Sequence, residues 1–245
     1  MENKEEAMAK VKELVNQSNN IVILLGVGTL IESGGENIWS SRECYRIESI
    51  YHKSPDEMMA VGFYSARGSK FYDFYKNEII SEDHEPASLY YDIKRLQDSG
   101  KVKKIITQNV DGIHYKAGLT DCIELHGSIH NNVCPHCGKN FDLDYIKSAK
   151  AVPLCDVCGT SIKPGIRLFG ENIANNLMTD AVNACEQADM IIALGTNMSD
   201  NMVRFCSADY KGDKFVLISK EEHYMDKYAD IVIHDEVSKV LPLIF

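Results

Sequence analysis

The stretch IVILLGVGTLIESGGENIW, residues 21–39, decides the fold class. Its first five residues, Ile21–Leu25, are all apolar, and Gly26 and Gly28 follow without a break. A buried strand that runs straight into glycines is typical of a parallel sheet leading into a phosphate-binding loop, because glycine lets backbone N–H groups approach an anion closely. Ile31 stands where the dinucleotide fingerprint has its third glycine, so the loop alone is weak evidence for a nucleotide site.

Short apolar segments alternate with helix-length segments along the rest of the chain. An N-terminal helix is predicted from an apolar face that carries Ala7, Val11, Leu14 and Val15. Further strands are predicted at Lys104–Thr107, Cys122–Leu125, Met190–Leu194, Phe215–Ile218 and Ile231–Ile233. Residues 40–99 predict helices, two of which start near Pro55 and Pro86. Strands that are apolar on both faces predict an α/β fold whose parallel sheet has helices on both faces.

Length and charge exclude several classes of protein. A chain of 245 residues with 44% hydrophobic residues accommodates one large α/β domain with a small insert. The formal charge of −10 argues against a nucleic-acid partner, which requires a basic face. The charged start has no secretory apolar region, and no apolar run reaches the roughly eighteen residues of a membrane helix. We therefore expect a cytoplasmic protein with no membrane partner.

Four of the eight cysteines form two C-x-x-C pairs, CPHC and CDVC, with seventeen residues between them. In a reducing compartment such spacing calls for an explanation other than disulfides. Two such knuckles supply four thiolates in tetrahedral geometry and predict one structural Zn²⁺, bound by Cys134, Cys137, Cys155 and Cys158. Because four thiolates close the coordination sphere, this metal should take no part in the chemistry. His136 is predicted to be a solvated bystander, and Cys185 and Cys206 to be core residues.

Polar side chains follow two of the predicted strands. Gln108, Asn109 and Asp111 come after one strand, and His126 comes after the next. Open α/β sheets bind ligands at the carboxyl ends of their strands, so this is the layout of an active site. The alternative is that Asn109 and Asp111 only form a turn before Gly112.

The segments TQNVDGIHYKAG, ELHGSIH, the paired knuckles and LFGE together resemble the sirtuin family of NAD-dependent protein-lysine deacylases. The resemblance extends from the first strand to the C-terminus. It implies one catalytic region, 1–245, built on a Rossmann-type sheet. A helical module and cofactor loop at 36–100 and a small zinc-binding module at 130–167 would be inserted in it.

The resemblance also implies roles for individual residues. His126 corresponds to the general base, and a neutral imidazole, with an ordinary pKa of about 6.5, can take a proton from a ribose hydroxyl near pH 7. Asn109 and Asp111 would hold the nicotinamide-proximal ribose and the nicotinamide amide of NAD, with Gln108 beside the ribose. His114 and His130 do not occupy the family's catalytic place.

Other NAD and substrate positions follow from the same resemblance. The glycine loop contributes Gly26 and Gly28, and the adenosine half of NAD would meet Gly195, Thr196, Asn197 and Ser219. Asn197 replaces the usual Ser and Ser219 the usual Asn. The segment Phe169, Gly170 and Glu171 matches the stretch that pairs with the acylated-lysine peptide by strand addition, a mode in which backbone bonds supply affinity.

The cofactor loop departs from the family's pattern at four positions, Leu30, Asn37, Ile38 and Trp39. Trp39 stands in place of an Arg whose planar set of donors it cannot imitate. Three explanations compete: a remodelled loop that still binds NAD, a loop that favours ADP-ribosyl transfer, and a protein that only senses the nucleotide. Retention of Asn109, Asp111 and His126 favours the first. The leading hypothesis is an NAD-dependent protein deacylase; a mono-ADP-ribosyltransferase and a non-catalytic NAD-binding module are the alternatives.

The segment FYDFYKNE allows a prediction of which acyl group is removed. Phe74 and Tyr75 match an FY pair at the acyl pocket of the family members that remove succinyl and malonyl groups. Those members carry an Arg three residues after the Tyr, whereas Glu78 stands here. A carboxylate that faces an acyl carboxylate predicts a preference for neutral acyl groups. The alternative is that Tyr75 and Glu78 lie on an ordinary helix face and touch no substrate.

Overall fold

The computed structural model describes residues 4–80 and 83–245. Within them the chain forms eight strands: β1 (Ile21–Leu25), β2 (Val102–Thr107), β3 (Cys122–Glu124), β4 (Asn132–Val133), β5 (Asn140–Phe141), β6 (Met190–Leu194), β7 (Phe215–Ile218) and β8 (Ile231–Ile233). Six of them build one sheet in the order β3-β2-β1-β6-β7-β8, and every pairing in it is parallel. Strands β4 and β5 form a separate antiparallel pair.

The helices alternate with these strands as the sequence predicts. They are α1 (Lys4–Gln17), α2 (Val27–Glu32), α3 (Ser41–Tyr51), α4 (Pro55–Met58), α5 (Val61–Ala66), α6 (Gly68–Phe74), α7 (Ser88–Asp98), α8 (Ile113–Lys116), α9 (Leu143–Ser148), α10 (Asn175–Glu186), α11 (Asn201–Cys206) and α12 (Val237–Ile244). A π-helical turn at Tyr75–Ile79 follows α6, and a 3-10 turn lies at Asp226–Tyr228. Pro55 is the first residue of α4, and Pro86 precedes α7 by two residues.

The strand predictions are confirmed. Strands β1, β6, β7 and β8 have the predicted bounds. Strand β2 begins two residues earlier, at Val102, and β3 ends one residue earlier, at Glu124. The first three residues of the predicted N-terminal helix lie outside the described residues.

Helices cover both faces of the sheet. On one face α1, α7 and α12 pack against strand residues such as Ile23. On the other face α10 and α11 pack against residues such as Leu24. All five residues of β1 are buried, because side chains of a strand alternate between faces and both faces are covered. Cys185 and Cys206 lie fully buried in the second of these cores, as predicted.

The sheet reverses its strand order between β1 and β6. The chain passes from β1 outward to β2 and β3, and later from β6 outward to β7 and β8. The chain therefore turns to opposite sides of the sheet after β1 and after β6, which makes the carboxyl ends of these two strands the switch point of the topology. This position is where a doubly wound sheet binds its ligand.

The inserted segments share a second core. Ile47, Phe71 and Phe74 of the helical segment pack in one cluster with Phe141 and Ile162 of the cysteine-containing segment. Helix α7, which the sequence analysis placed within 36–100, packs instead on the sheet. Among the described residues, no helix combines the length and the apolar character needed to cross a membrane.

Candidate active site

A cavity of about 590 Å³ lies at the carboxyl ends of the central strands. Residues one or two positions after the ends of β1, β2 and β3 contribute to its wall, among them Val27, Gln108 and His126. Residues 36–79, the helical segment, contribute Arg46, Met59 and Glu78 to the same wall. The structure thus brings together five of the sequence-predicted site residues in one wall: Gln108, Asn109, Asp111, His126 and Phe169.

Asn109, which follows β2, is hydrogen-bonded to the glycine loop that follows β1. Its side-chain amide donates to the carbonyl oxygen of Gly26 and to Oγ1 of Thr29, each at 3.1 Å. Tyr90, from α7, donates its hydroxyl to the same Thr29 oxygen at 3.1 Å. Asn109 is buried, so these bonds fix both its rotamer and the position of the loop. Thr29 and Tyr90 are positioning residues that the sequence analysis missed.

Asp111 forms the turn before α8 and also leaves one carboxylate oxygen without a partner among the described residues. Its Oδ1 accepts the backbone N–H of Ile113 at 2.8 Å, which is the turn before α8. Its Oδ2 is buried and has no hydrogen-bond partner within the described residues. A buried acceptor without a partner is costly in a folded protein. This oxygen is therefore available to a ligand N–H in the cavity.

His126 is half-buried in the cavity wall. Burial, reinforced by the positive charge of Arg167, lowers the pKa of its ring to about 4. The ring is thus neutral at pH 7, the state that a general base requires. His114 lies buried behind the wall, 3.4 Å from Glu124. His130 lines the cavity but places its Nε2 3.1 Å from the Asp111 carbonyl oxygen.

Arg167 is a cavity residue that sequence reasoning missed. Its Nη2 lies 3.3 Å from Nε2 of His126, and its Nη1 donates to the carbonyl oxygen of Glu171 at 2.9 Å. The sequence offered one indication of its importance: Arg167 is the charged residue of the otherwise apolar run IRLF, which as a strand-like segment would be expected to be buried.

The glycines after β1 serve a close approach between two loops. A Cβ on Gly26 would lie 2.5 Å from the Cβ of Thr196, and one on Gly28 would lie 2.7 Å from the Cα of Gly195. Gly28 donates its N–H to the Gly195 carbonyl oxygen at 2.8 Å. The N–H of Gly28 thus holds the β6 loop, and the predicted contact of Gly28 with NAD stays a prediction.

The residues predicted for the adenosine half of NAD lie beside the cavity. Gly195, Thr196 and Asn197 follow β6, and Ser219 follows β7, so all four stand at the carboxyl ends of adjacent strands. Thr196 and Ser219 are buried. None of the four contributes to the wall of the 590 Å³ cavity, although Asp200 from the same loop does.

The divergent positions of the cofactor loop all face the cavity: Leu30, Asn37, Ile38 and Trp39. Trp39 donates its indole N–H to Asp56 at 2.8 Å and places its ring edge-on to Phe169, with 6.1 Å between centroids. The loop is therefore ordered by contacts of its own, and its changes alter the surface that a ligand meets.

Tyr75 and Glu78 have environments that the sequence did not reveal. Tyr75 is fully buried, stacks on Phe71 and lies outside the cavity wall. Glu78 does line the cavity, but its carboxylate pairs with Arg46 and accepts the Tyr51 hydroxyl at 2.9 Å. The predicted preference for neutral acyl groups assumed that the Glu78 carboxylate is unpaired when it faces the acyl group. In the structure Arg46 supplies its counter-charge.

The segment Phe169, Gly170 and Glu171 is partly paired already. Phe169 donates its N–H to Met59 at 3.0 Å, and its carbonyl oxygen accepts the N–H of Val61 at 2.9 Å. Glu171 turns its carboxylate back to the N–H of Leu168 at 2.8 Å. Phe169 keeps 41% of its surface exposed at the cavity wall.

Four cysteines converge as a metal-binding cluster, Cys134, Cys137, Cys155 and Cys158. Their sulfurs lie within 4.8 Å of one another, close to the edge of about 3.8 Å expected for a tetrahedron with Zn–S bonds of about 2.3 Å. Gly138 and Gly159, at φ of +73° and +72°, close matching turns behind each knuckle. The cluster can hold one zinc ion. His136 is exposed, as predicted.

Comparison with known proteins agrees with this site. Residues 26–201 match the model of the Sir2 family. An NAD-dependent protein deacetylase of Clostridium acetobutylicum is 35% identical over 237 residues, which are 95% of each chain. One of Clostridium tetani is 37% identical over 94% of each chain. A solved structure of Sir2 bound to acetylated peptide superposes with a TM-score of 0.81 at 25% identity, over 96% of this chain and 95% of that one.

The match covers well over half of the chain and the relatives nearly all of it. A second solved structure, described as the structural basis of sirtuin substrate affinity, reaches a TM-score of 0.85 at 26% identity, over 97% of this chain and 98% of that one. The parallel sheet and the four-cysteine cluster are consistent with these matches. The chain belongs to the Sir2 family, the sirtuins.

Proposed function

We propose that this protein is an NAD-dependent protein-lysine deacylase that removes acetyl groups, among others, from lysine side chains. The observation that carries the proposal is the convergence of a neutral His126, the unpartnered Oδ2 of Asp111 and the fixed Asn109 on one cavity. The related bacterial proteins named NAD-dependent protein deacetylases support the same activity.

The residues present fit NAD. Asp111 Oδ2 is a buried acceptor that lacks a donor, and the nicotinamide amide offers one. Asn109 and Gln108 stand at the same strand end, where they would hold the adjacent ribose. Gly195, Thr196, Asn197 and Ser219 lie beside the cavity on the next two strands, which suits an extended dinucleotide. Gly26 and Gly28 would act by positioning the β6 loop.

NAD supplies the ribose carbon that receives the acyl oxygen and the nicotinamide that leaves. The protein's own residues would accept a proton and orient the reacting groups. His126, neutral at pH 7, would accept a proton from a ribose hydroxyl and so make that oxygen nucleophilic. Asp111 would orient the leaving group through its free oxygen. Apolar residues such as Ile38 and Phe169 would exclude water from the reacting atoms.

The substrate peptide would bind along residues 169–171. Both backbone groups of Phe169 already pair with Met59 and Val61, so an added strand would bond through the neighbouring residues. The exposed faces of Phe169 and Trp39 would contact the acylated lysine as it enters. Tyr75 would support this region from within the core of the helical segment.

The zinc ion would stabilise its module and remain distant from the chemistry. Both the cysteine-containing segment and the helical segment contribute to one core, so loss of the metal would loosen the wall that carries Ile129 and Ile166. We further place the protein in the cytoplasm, where reduced thiols keep such a site intact. We propose 36–100 and 130–167 as the bounds of the two inserted segments; α7, at the end of the first, packs on the sheet.

Incubation of the protein with NAD and an acetyl-lysine peptide tests the proposal. We expect release of nicotinamide that depends on the acetylated peptide, together with deacetylated peptide. ADP-ribose attached to protein without deacetylation would favour the transferase alternative. Absence of nicotinamide release from a folded, zinc-loaded preparation would favour the non-catalytic alternative.

A further inference from the structure

His130 is a second histidine in the cavity wall that carries His126. Its ring nitrogen Nε2 lies 3.1 Å from the backbone carbonyl oxygen of Asp111. A carbonyl oxygen only accepts hydrogen bonds, so Nε2 carries a proton and donates it. His130 is thus bonded to the backbone of the residue whose buried Oδ2 has no partner among the described residues.

The Asp111 carbonyl oxygen is not used by the helix that follows it. In a regular α-helix it would accept the N–H of Tyr115, four residues later. That N–H donates instead to the carbonyl oxygen of Gly112 at 3.0 Å. The bond from His130 therefore supplies what the short helix α8 leaves out, and it fixes the peptide group that joins Asp111 to Gly112.

The ring of His130 also packs directly on Gly112. A Cβ added to Gly112 would lie 2.6 Å from Cδ2 and 2.8 Å from Nε2 of that ring. Gly112 has a φ of +75° as well, a conformation that favours glycine. Glycine is therefore required here for two reasons, and one of them is the position of the His130 ring.

Other contacts hold the same residue from two further sides. The Asp111 side chain accepts the N–H of Ile113 at its Oδ1, at 2.8 Å. The carbonyl oxygen of the preceding residue, Val110, accepts the N–H of Ile129 at 2.9 Å. With Oδ1 and the backbone carbonyl both bonded, the carboxylate is held in one orientation, and this leaves Oδ2 for a ligand.

We propose that His130 is a positioning residue for the nicotinamide half of NAD. It holds the backbone of Asp111, so that Oδ2 of Asp111 keeps the direction in which it accepts the nicotinamide amide. The inference rests on the proposed function, in which Asp111 receives that amide. His130 itself transfers no proton to or from the substrate, which separates its role from that of His126.

Calorimetric titration with NAD and with ADP-ribose, both without peptide, tests the inference apart from catalysis. ADP-ribose lacks the nicotinamide and serves as the control ligand. His130→Phe keeps a ring over Gly112 but removes the donor, so the Kd for NAD should rise about two- to tenfold, the loss of one ordinary hydrogen bond. The Kd for ADP-ribose should stay unchanged. His130→Gln places an N–H near the position of Nε2 and should restore the affinity for NAD.

Two glycine variants test the ring contact. Gly112→Ala should weaken NAD binding at least as much as His130→Phe, because the new Cβ displaces the ring. Gly118→Ala is the matched control: Gly118 has a similar φ of +80°, but its Cβ would meet only the flexible side chain of Lys94, at 3.3 Å. It should keep the affinity of the wild-type protein for NAD.

Three results would overturn the inference: an unchanged affinity of His130→Phe for NAD, an equal loss of affinity for NAD and ADP-ribose in that variant, or no recovery in His130→Gln. An equal loss for both ligands would show that His130 only supports the fold of the site. If the predicted pattern of NAD binding is found but no acyl group is removed from a peptide, the proposed function fails and the inference about His130 stands.

Discussion

Gly195→Ala should destabilise the protein at the crossing of the two central loops. Gly195 has a φ of +61°, a left-handed conformation that an L-residue with a Cβ adopts at a cost of about 1–2 kcal/mol. Its added Cβ would lie 2.6 Å from the backbone nitrogen of Thr29 and 2.9 Å from the carbonyl carbon of Gly28. Both neighbours are backbone atoms, so no flexible side chain can move aside.

The two effects set the expected magnitude. Overpacking of a tight site costs about 1–3 kcal/mol, so the free energy of unfolding should fall by roughly 2–5 kcal/mol in total. For a chain of this size, each kcal/mol shifts Tm by about 2–4 °C, so a loss of about 3 kcal/mol corresponds to about 6–12 °C. Affinity for NAD should fall too, because the loop that the Gly28–Gly195 bond holds in place would shift.

Urea unfolding followed by circular dichroism measures the change, with Gly62→Ala as the control. Gly62 lies in α5, and a Cβ there would meet nothing within 4 Å. Its replacement should be neutral or stabilise by up to about 1 kcal/mol, the helix preference of Ala over Gly. A Gly195→Ala protein as stable as wild type would refute the claim that close loop contact requires glycine at this position.

Three further predictions concern the site and the metal. His126→Ala should lower deacylation at least about a hundredfold in a peptide assay while the exposed His136→Ala retains activity, and near-normal turnover of His126→Ala would exclude it as the base. Cys134→Ser should lose zinc by metal analysis and lower Tm, whereas Cys122→Ser should keep its zinc; a zinc-free, fully stable Cys134→Ser protein would contradict the site. NMR titration should place the pKa of His126 near 4 and find it higher in Arg167→Gln. The folded-state pKa lies below the unfolded value of about 6.5, so the protein should lose free energy of unfolding as the pH falls from about 6.5 towards 4.

Local patterns were sufficient to predict the sheet. The residues of β1 and β6 are apolar on both faces and bounded by polar or glycine residues, so their limits could be read without a partner strand. The cysteine cluster was equally accessible, because its ligands lie in two short pairs whose spacing defines the site.

The tertiary contacts that explain individual residues could not be predicted from the sequence. Gly28 is glycine because Gly195 lies against it, and these two residues are 167 positions apart along the chain. Glu78 has a different charge environment from the one expected, because Arg46 reaches it from another helix. Such long-range pairings depend on tertiary packing, which a single sequence does not encode in any local pattern.

Quantification of the products from NAD and an acetyl-lysine peptide tests the central claim most directly. Mass spectrometry should find deacetylated peptide, nicotinamide and O-acetyl-ADP-ribose in equal amounts from the wild-type protein, and none of the three above background from His126→Ala. Deacetylated peptide with free acetate and intact NAD, or nicotinamide release without any acetylated ADP-ribose, would contradict the account.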